Sequence, residues 1–443
     1  MTVFRVRLPL LLVGGYTGLA TALASQQPLW QTSDTASYRS FAHFGLVRMP
    51  VAMLVLSLGD RQVVLVSAAA IGVVTGLAIY ELTKLATSPV TKCAVALTVV
   101  AVMLSPLMRR VEMFVLPDAI FVAVAIGAWL CLRHQNPNVI ASGLGCLVLL
   151  PLVKETGVLL AGVFLAVYGL KICRTFRHGL GVLCAAATVL LVILLAVVLP
   201  AGRRQAPLPN GSGRVSGFTF ERYRSATIVL PSAFGRRPSG LESVRQAADD
   251  CGFDLDSYSV SIVTATFGPY ECAEFTHALD SYVGPRLVLF YLRHPNATRA
   301  AAGDVFASTP DNEYFSSLFH PKYASRWQSD VVERIEQALM LAMVVLAVGR
   351  KWSLSATLTV ATVAAALVVS ALDRSDPHRH LLAFMVIIVL GACDAILVAV
   401  QSKPAAHEPD LLSRGVVGQD PVSPVSATVR KSGASTTRGG RWL

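Results

Sequence analysis

The sequence predicts an all-α polytopic membrane protein of about ten transmembrane helices with a large extracytoplasmic loop region, and three observations carry that prediction. Of its 443 residues, 54% are hydrophobic and only 15% charged, against roughly 25% charged in an ordinary soluble domain. The apolar residues are gathered into blocks of about 13 to 23 residues, close to the roughly 20 that a helix needs to cross the hydrocarbon layer. The blocks are Val/Leu/Ala runs without alternating polarity, so the backbone amides are satisfied within helices rather than within a barrel.

The first block, residues 8–24, follows the basic start Arg5 and Arg7. It resembles a signal peptide, with Ala-Leu-Ala at 22–24 as a weak cleavage site. The many further blocks favour an uncleaved first helix. Spans are then expected at about 62–80, 93–108, 117–132, 138–153, 156–170, 179–201, 335–349, 352–372 and 381–400. Residues 1–201 form an N-terminal transmembrane module, and its first external loop, 26–61, carries a ten-residue apolar run at 49–58. That run is too short to span and suits a helix lying at the interface. Residues 202–334 form an extracytoplasmic loop domain rich in aromatics, 335–400 the C-terminal transmembrane helices, and 401–443 a Ser/Thr/Gly/Arg-rich disordered cytoplasmic tail.

The net charge of +11 is spread between the blocks and along the tail, which argues for membrane orientation rather than nucleic acid. Alternating the spans from a cytoplasmic N-terminus puts Lys84, Lys92, Arg133, Lys171, Arg174, Arg177, Arg350 and Lys351 inside, with Arg5 and Arg7. Arg39, Arg48, Arg61, Arg109, Arg110, Lys154, Arg374 and Arg379 fall outside. Cations kept on the translocated side against the insertion preference suggest an anionic partner there. Six of the eight cysteines lie in or beside apolar blocks and read as small buried hydrophobes. Cys251 and Cys272 alone lie in the polar loop, as a disulfide in an oxidising compartment or as two unrelated thiols.

No phosphate loop, dinucleotide fingerprint, zinc-protease helix or nucleophile elbow is present. The candidates for chemistry are ionisable groups at the outer face. Asp34 follows the first span; a carboxylate there serves either as a general base toward an acceptor hydroxyl or as a solvated helix cap. Arg109-Arg110-Val111-Glu112 precedes Pro117-Asp118, and adjacent guanidinium forks suit phosphate oxygens when they do not pair with the neighbouring acids. Lys154-Glu155 sits between two blocks with almost no loop. Residues 373–380, Asp-Arg-Ser-Asp-Pro-His-Arg-His, join two long spans and bring Arg374 and Arg379. Asp394, within the last span, is either a buried hydrogen-bonded residue or a proton site. Taken together, these charges describe a lipid-phosphate site.

With those residues in view, the layout of residues 8–400 resembles the GT-C superfamily, polytopic glycosyltransferases of the mannosyltransferase and aminoarabinose-transferase kind that use polyprenyl-phosphate sugars. Asp34 with Tyr38 resembles the family's acidic first loop. Glu112 and Pro117-Asp118-Ala119-Ile120-Phe121 resemble its acidic segment at the fourth helix. Lys154-Glu155-Thr156-Gly157, Leu292-Arg293-His294-Pro295 and Arg379-His380-Leu381-Leu382 are also similar. Two departures stand out: Asp34 is alone where the family often pairs two acids, and Arg379-His380 replaces Arg-Tyr. The resemblance implies sugar transfer to a lipid, glycan or protein acceptor, with Asp34 as base. It implies that Tyr38, Arg109, Arg110, Glu112, Asp118, Lys154, Arg374 and Arg379 serve donor and phosphate binding. The chain shows no clear metal site, although some members of the family use a divalent cation. It implies a bacterial inner or plasma membrane with both termini cytoplasmic. From a different class, a transporter or flippase of an anionic lipid or solute also wants outward arginines and a membrane carboxylate such as Asp394. A noncatalytic scaffold would use the charges only to set topology.

Overall fold

The computed structural model describes residues 2–26, 50–104, 108, 117–203, 205–207, 214–216, 219, 242–253, 272–283, 285–295, 353–372 and 377–401. The chain is predominantly helical. Its helices are α1 (Thr2–Gln26), α2 (Pro50–Leu56), α3 (Asp60–Leu85), α4 (Pro89–Met103), α5 (Asp118–Arg133), α6 (Pro137–Val153), α7 (Gly157–Thr175) and α8 (Gly179–Ile193). A π-helical turn (Leu194–Val198) carries α8 into the short α9 (Leu199–Arg203), and a two-stranded antiparallel hairpin follows, β1 (Gln205–Pro207) with β2 (Arg214–Ser216). Then come α10 (Glu242–Asp250), α11 (Ala273–Leu279), α12 (Pro285–Arg293), α13 (Leu354–Leu372) and α14 (Pro377–Gln401).

Among the described residues, four stretches are long and apolar enough to cross a membrane: α3, α7, residues 179–197 and residues 381–401. Helices α4 and α6 and residues 354–369 are apolar but shorter. Nine of the ten expected blocks coincide with described helices. The block at 335–349 lies outside the described residues, as do the tail and most of the loop region. The 49–58 run forms α2, which buries Ala52 and Leu56 and packs on α6 and α3.

Local chemistry explains where these helices start and stop. The Ser88 hydroxyl accepts from the Thr91 amide at 3.0 Å, and Pro89 opens α4 where its missing N–H costs nothing. Asn136 and Pro137 repeat that device at α6, with Asn136 accepting from the Asn138 amide at 2.9 Å. Small residues let neighbouring helices approach closely. A Cβ placed on Gly72 of α3 would lie 2.6 Å from the Thr17 Cα of α1.

Helix α14 sits at the centre, packed on α13, α5, α3 and α4, and 89% of its most apolar window is buried. The window over residues 179–197 is only 11% buried, so that helix lies at the periphery. A separate small core belongs to the loop region, where Val244, Ala248, Phe275, Leu279, Val283 and Phe290 pack together. Cys251 and Cys272 are joined as a disulfide across it, with Cα atoms 6.0 Å apart.

Candidate functional site

Two groups of buried charge lie at opposite ends of α5, about 22 Å apart at 1.5 Å rise per residue. At the first end, Asp118 opens α5 and Lys154 closes α6; both are 1% exposed and are joined as an ion pair between Lys154 Nζ and Asp118 Oδ1. The backbone around Lys154 is built to deliver it. Its own N–H still donates to the Leu150 carbonyl at 3.1 Å, while its extended φ of −148° breaks the helix. Gly157 then returns an N–H to the Lys154 carbonyl at 2.9 Å and opens α7. A Cβ at Gly157 would stand 2.3 Å from the Leu150 carbonyl, so only glycine permits this turn. A lysine and an aspartate this far from water each carry a large desolvation cost, which their mutual contact offsets. At the same end, the Arg61 guanidinium at the start of α3 donates to the Ser25 carbonyl near the end of α1.

At the other end, Asp394 of α14 is 4% exposed. It accepts from Arg133 Nη2 at 2.5 Å and from the Ser355 hydroxyl of α13. Arg133 lies over the Trp129 ring at 4.9 Å and 3.9 Å from the Glu81 carboxylate of α3. Lys171 of α7 donates to the carbonyls of Leu132 at 2.9 Å and Arg133 at 2.6 Å. This layer therefore ties α5, α7, α13 and α14 together through charged hydrogen bonds, and α3 joins it through the longer Glu81–Arg133 ion pair.

The two layers fix the helix directions. The helix ends at Asp118 and Pro377 lie away from Asp394, where the other ends of α3, α5, α13 and α14 meet, and the ends at Gln26 and Val153 join them through Arg61–Ser25 and Lys154–Asp118. Of the sequence-predicted site residues, Asp118 and Lys154 are brought into contact. Arg379 lies in the first turn of α14, about 22 Å along the helix from Asp394. Asp34, Tyr38, Arg109, Arg110, Glu112 and Arg374 lie outside the described residues. Nothing local to either segment signals that Asp118 and Lys154 pair. Nor does the sequence single out Arg133, which reads there only as a topology-setting cation; the available signal was Asp394 itself, a carboxylate in an apolar span that demands a cationic partner. Among the described residues, Cys251, Cys272 and Glu274 are close enough together to hold a metal, but both sulfurs are consumed by the disulfide.

No family model, curated protein or solved structure matches this chain.

Proposed function

We propose that this protein is a GT-C-type membrane glycosyltransferase that moves a sugar from a polyprenyl-phosphate donor to an acceptor hydroxyl at the extracytoplasmic face of a bacterial plasma membrane. In this reading ten helices span the membrane, both termini are cytoplasmic, and the Asp118 end of the bundle faces outward. The observation that carries it is the buried Lys154–Asp118 pair. Two segments singled out separately, Pro117-Asp118 and Lys154-Glu155-Thr156-Gly157, meet at one end of the bundle, the end from which the chain leaves toward Asp34, Arg109, Arg110 and Arg374. In this reading the buried Asp118–Lys154 pair ties the ends of α5 and α6 together beneath the site, and Arg109, Arg110, Arg374 and Arg379 supply positive charge for the donor phosphate and for the charge that builds on it as the glycosidic bond breaks. Asp34 takes the proton from the attacking hydroxyl, Tyr38 and Glu112 orient donor and acceptor, and no metal is assigned a role.

Transport is the weaker reading, because the carboxylate it would use is engaged: Asp394 is buried against Arg133 and Ser355. The test is sugar transfer by the purified protein in lipid across a panel of polyprenyl-phosphate sugars, wild type beside Asp34→Asn. A general base contributes about 10²- to 10⁴-fold; transfer falling by that factor while donor binding persists is the expected result. Absence of both binding and transfer across the panel would overturn the reading.

A further inference from the structure

Helix α12, Pro285-Arg-Leu-Val-Leu-Phe-Tyr-Leu-Arg293, has two sharply different sides. Leu287, Phe290 and Tyr291 are buried in the small disulfide-bonded core. At 100° per residue, Arg286, Leu289, Leu292 and Arg293 share an arc of about 120° on the opposite side. Leu289 is 49% and Leu292 75% exposed, and both arginines are exposed beside them. Leu289 and Leu292 thus form an open apolar strip with Arg286 and Arg293 along one edge. The acids of this module, Glu242, Asp249, Asp250, Glu274 and Asp280, lie on the preceding elements together with Arg245, whereas the charged residues of α12 are both arginines. The module is tethered between two apolar helices, residues 179–197 before it and 354–369 after it.

We infer that α12 is a membrane-surface helix that lays Leu289 and Leu292 into the acyl boundary of the bilayer while Arg286 and Arg293 engage anionic lipid headgroup phosphates. The arrangement has the parts such a helix needs: a short apolar strip, cations whose apolar stems run along it to reach the phosphate level, and acids kept on other elements. The Arg286 guanidinium donates to the Asp280 carbonyl at 2.8 Å, which holds the cation at the edge of the strip. The inference needs the protein to be in a membrane and does not depend on the transferase reading.

The test uses the full chain in nanodiscs of either phosphatidylglycerol or phosphatidylcholine, with a benzophenone amino acid in place of Leu292, and for comparison in place of the exposed Gln246 of α10. After illumination, mass spectrometry of the labelled peptide reads the adduct. The expected result is a lipid adduct at position 292 and none at 246, with the phosphatidylglycerol yield falling at least about fivefold in phosphatidylcholine or in the doubly substituted R286Q/R293Q chain. Because R286Q also removes the hydrogen bond to the Asp280 carbonyl, R293Q alone, on the exposed side, is the second variant and is expected to lower the yield in the same direction. No lipid adduct, an adduct to a second copy that fades on dilution, or equal yields in both lipids would each overturn the assignment.

Discussion

Lys154 is a single buried cation whose worth is set by its partner. Removing one member of a buried ion pair strands the other and costs about 3–5 kcal/mol, whereas replacing both by apolar groups is often close to neutral. Lys154→Met is therefore expected to lower the thermal stability of the detergent-solubilised protein sharply, and the double variant Lys154→Met/Asp118→Leu to recover most of the loss; a double variant no better than the single would mean that the pair is not what stabilises this end. The same cycle on Arg133→Met and Asp394→Leu should show non-additivity of at least about 1 kcal/mol, because the two groups share a 2.5 Å contact with both side chains largely buried. Asp118 and Lys154 stand out in the sequence as ionisable groups beside apolar blocks, which is how both were singled out. Their pairing was not legible, since 36 residues separate them and nothing local encodes which helix ends meet. Asp394 was legible as a group needing a partner, but Arg133 lies 261 residues away, and several cations fitted equally well.

Helices carry their own predictions. The α6–α7 turn depends on Gly157, whose Cβ would collide with the Leu150 backbone. Gly157→Ala is expected to cost about 1–3 kcal/mol or more and to reduce the yield of monodisperse protein, while Gly162→Ala in α7, with open space around it, should behave as wild type. In the loop module, the disulfide closes 21 residues between α10 and α11. Its removal by Cys251→Ser/Cys272→Ser should cost about 2–5 kcal/mol locally and raise hydrogen exchange at 242–253 and 272–295 without changing α3 or α14. Tyr282 gives that module a pH dependence. Burial, and then the Glu242 carboxylate, push its phenol up from the ordinary value, so the neutral form is favoured in the folded state. The stabilisation is present below the unfolded phenol pKa of about 10 and is lost as pH rises through the higher folded value. Tyr282→Phe should remove that alkaline loss, read as exchange at 272–295 between pH 9 and 11. Helix existence was the most legible layer of all: block length and composition located nine of the described helices, because apolar runs in lipid have few alternatives. Their ends were less so. The α14 helix begins four residues before its apolar block and α1 six residues before its own, since polar residues continue a helix without contributing to the hydropathy that marks it.

At the scale of the molecule, composition located helices long and apolar enough to cross a membrane but could not order them from centre to edge. Residues 179–197 and 381–401 are comparably apolar, yet one is 11% and the other 89% buried; lipid tails and neighbouring leucines are equivalent surroundings for an apolar side chain, so burial leaves no mark on hydropathy. The features that do distinguish them are small and polar: Asp394, and Gly391 against Thr359. That central position of α14 has a consequence in time. Arg133 is synthesised 261 residues before the carboxylate that neutralises it, an interval of about 10 to 50 s at ordinary translation speeds. Until α14 is made, the carboxylate beside Arg133 is that of Glu81, 3.9 Å away in the finished layer, and the layer is completed only when Ser355 and then Asp394 arrive.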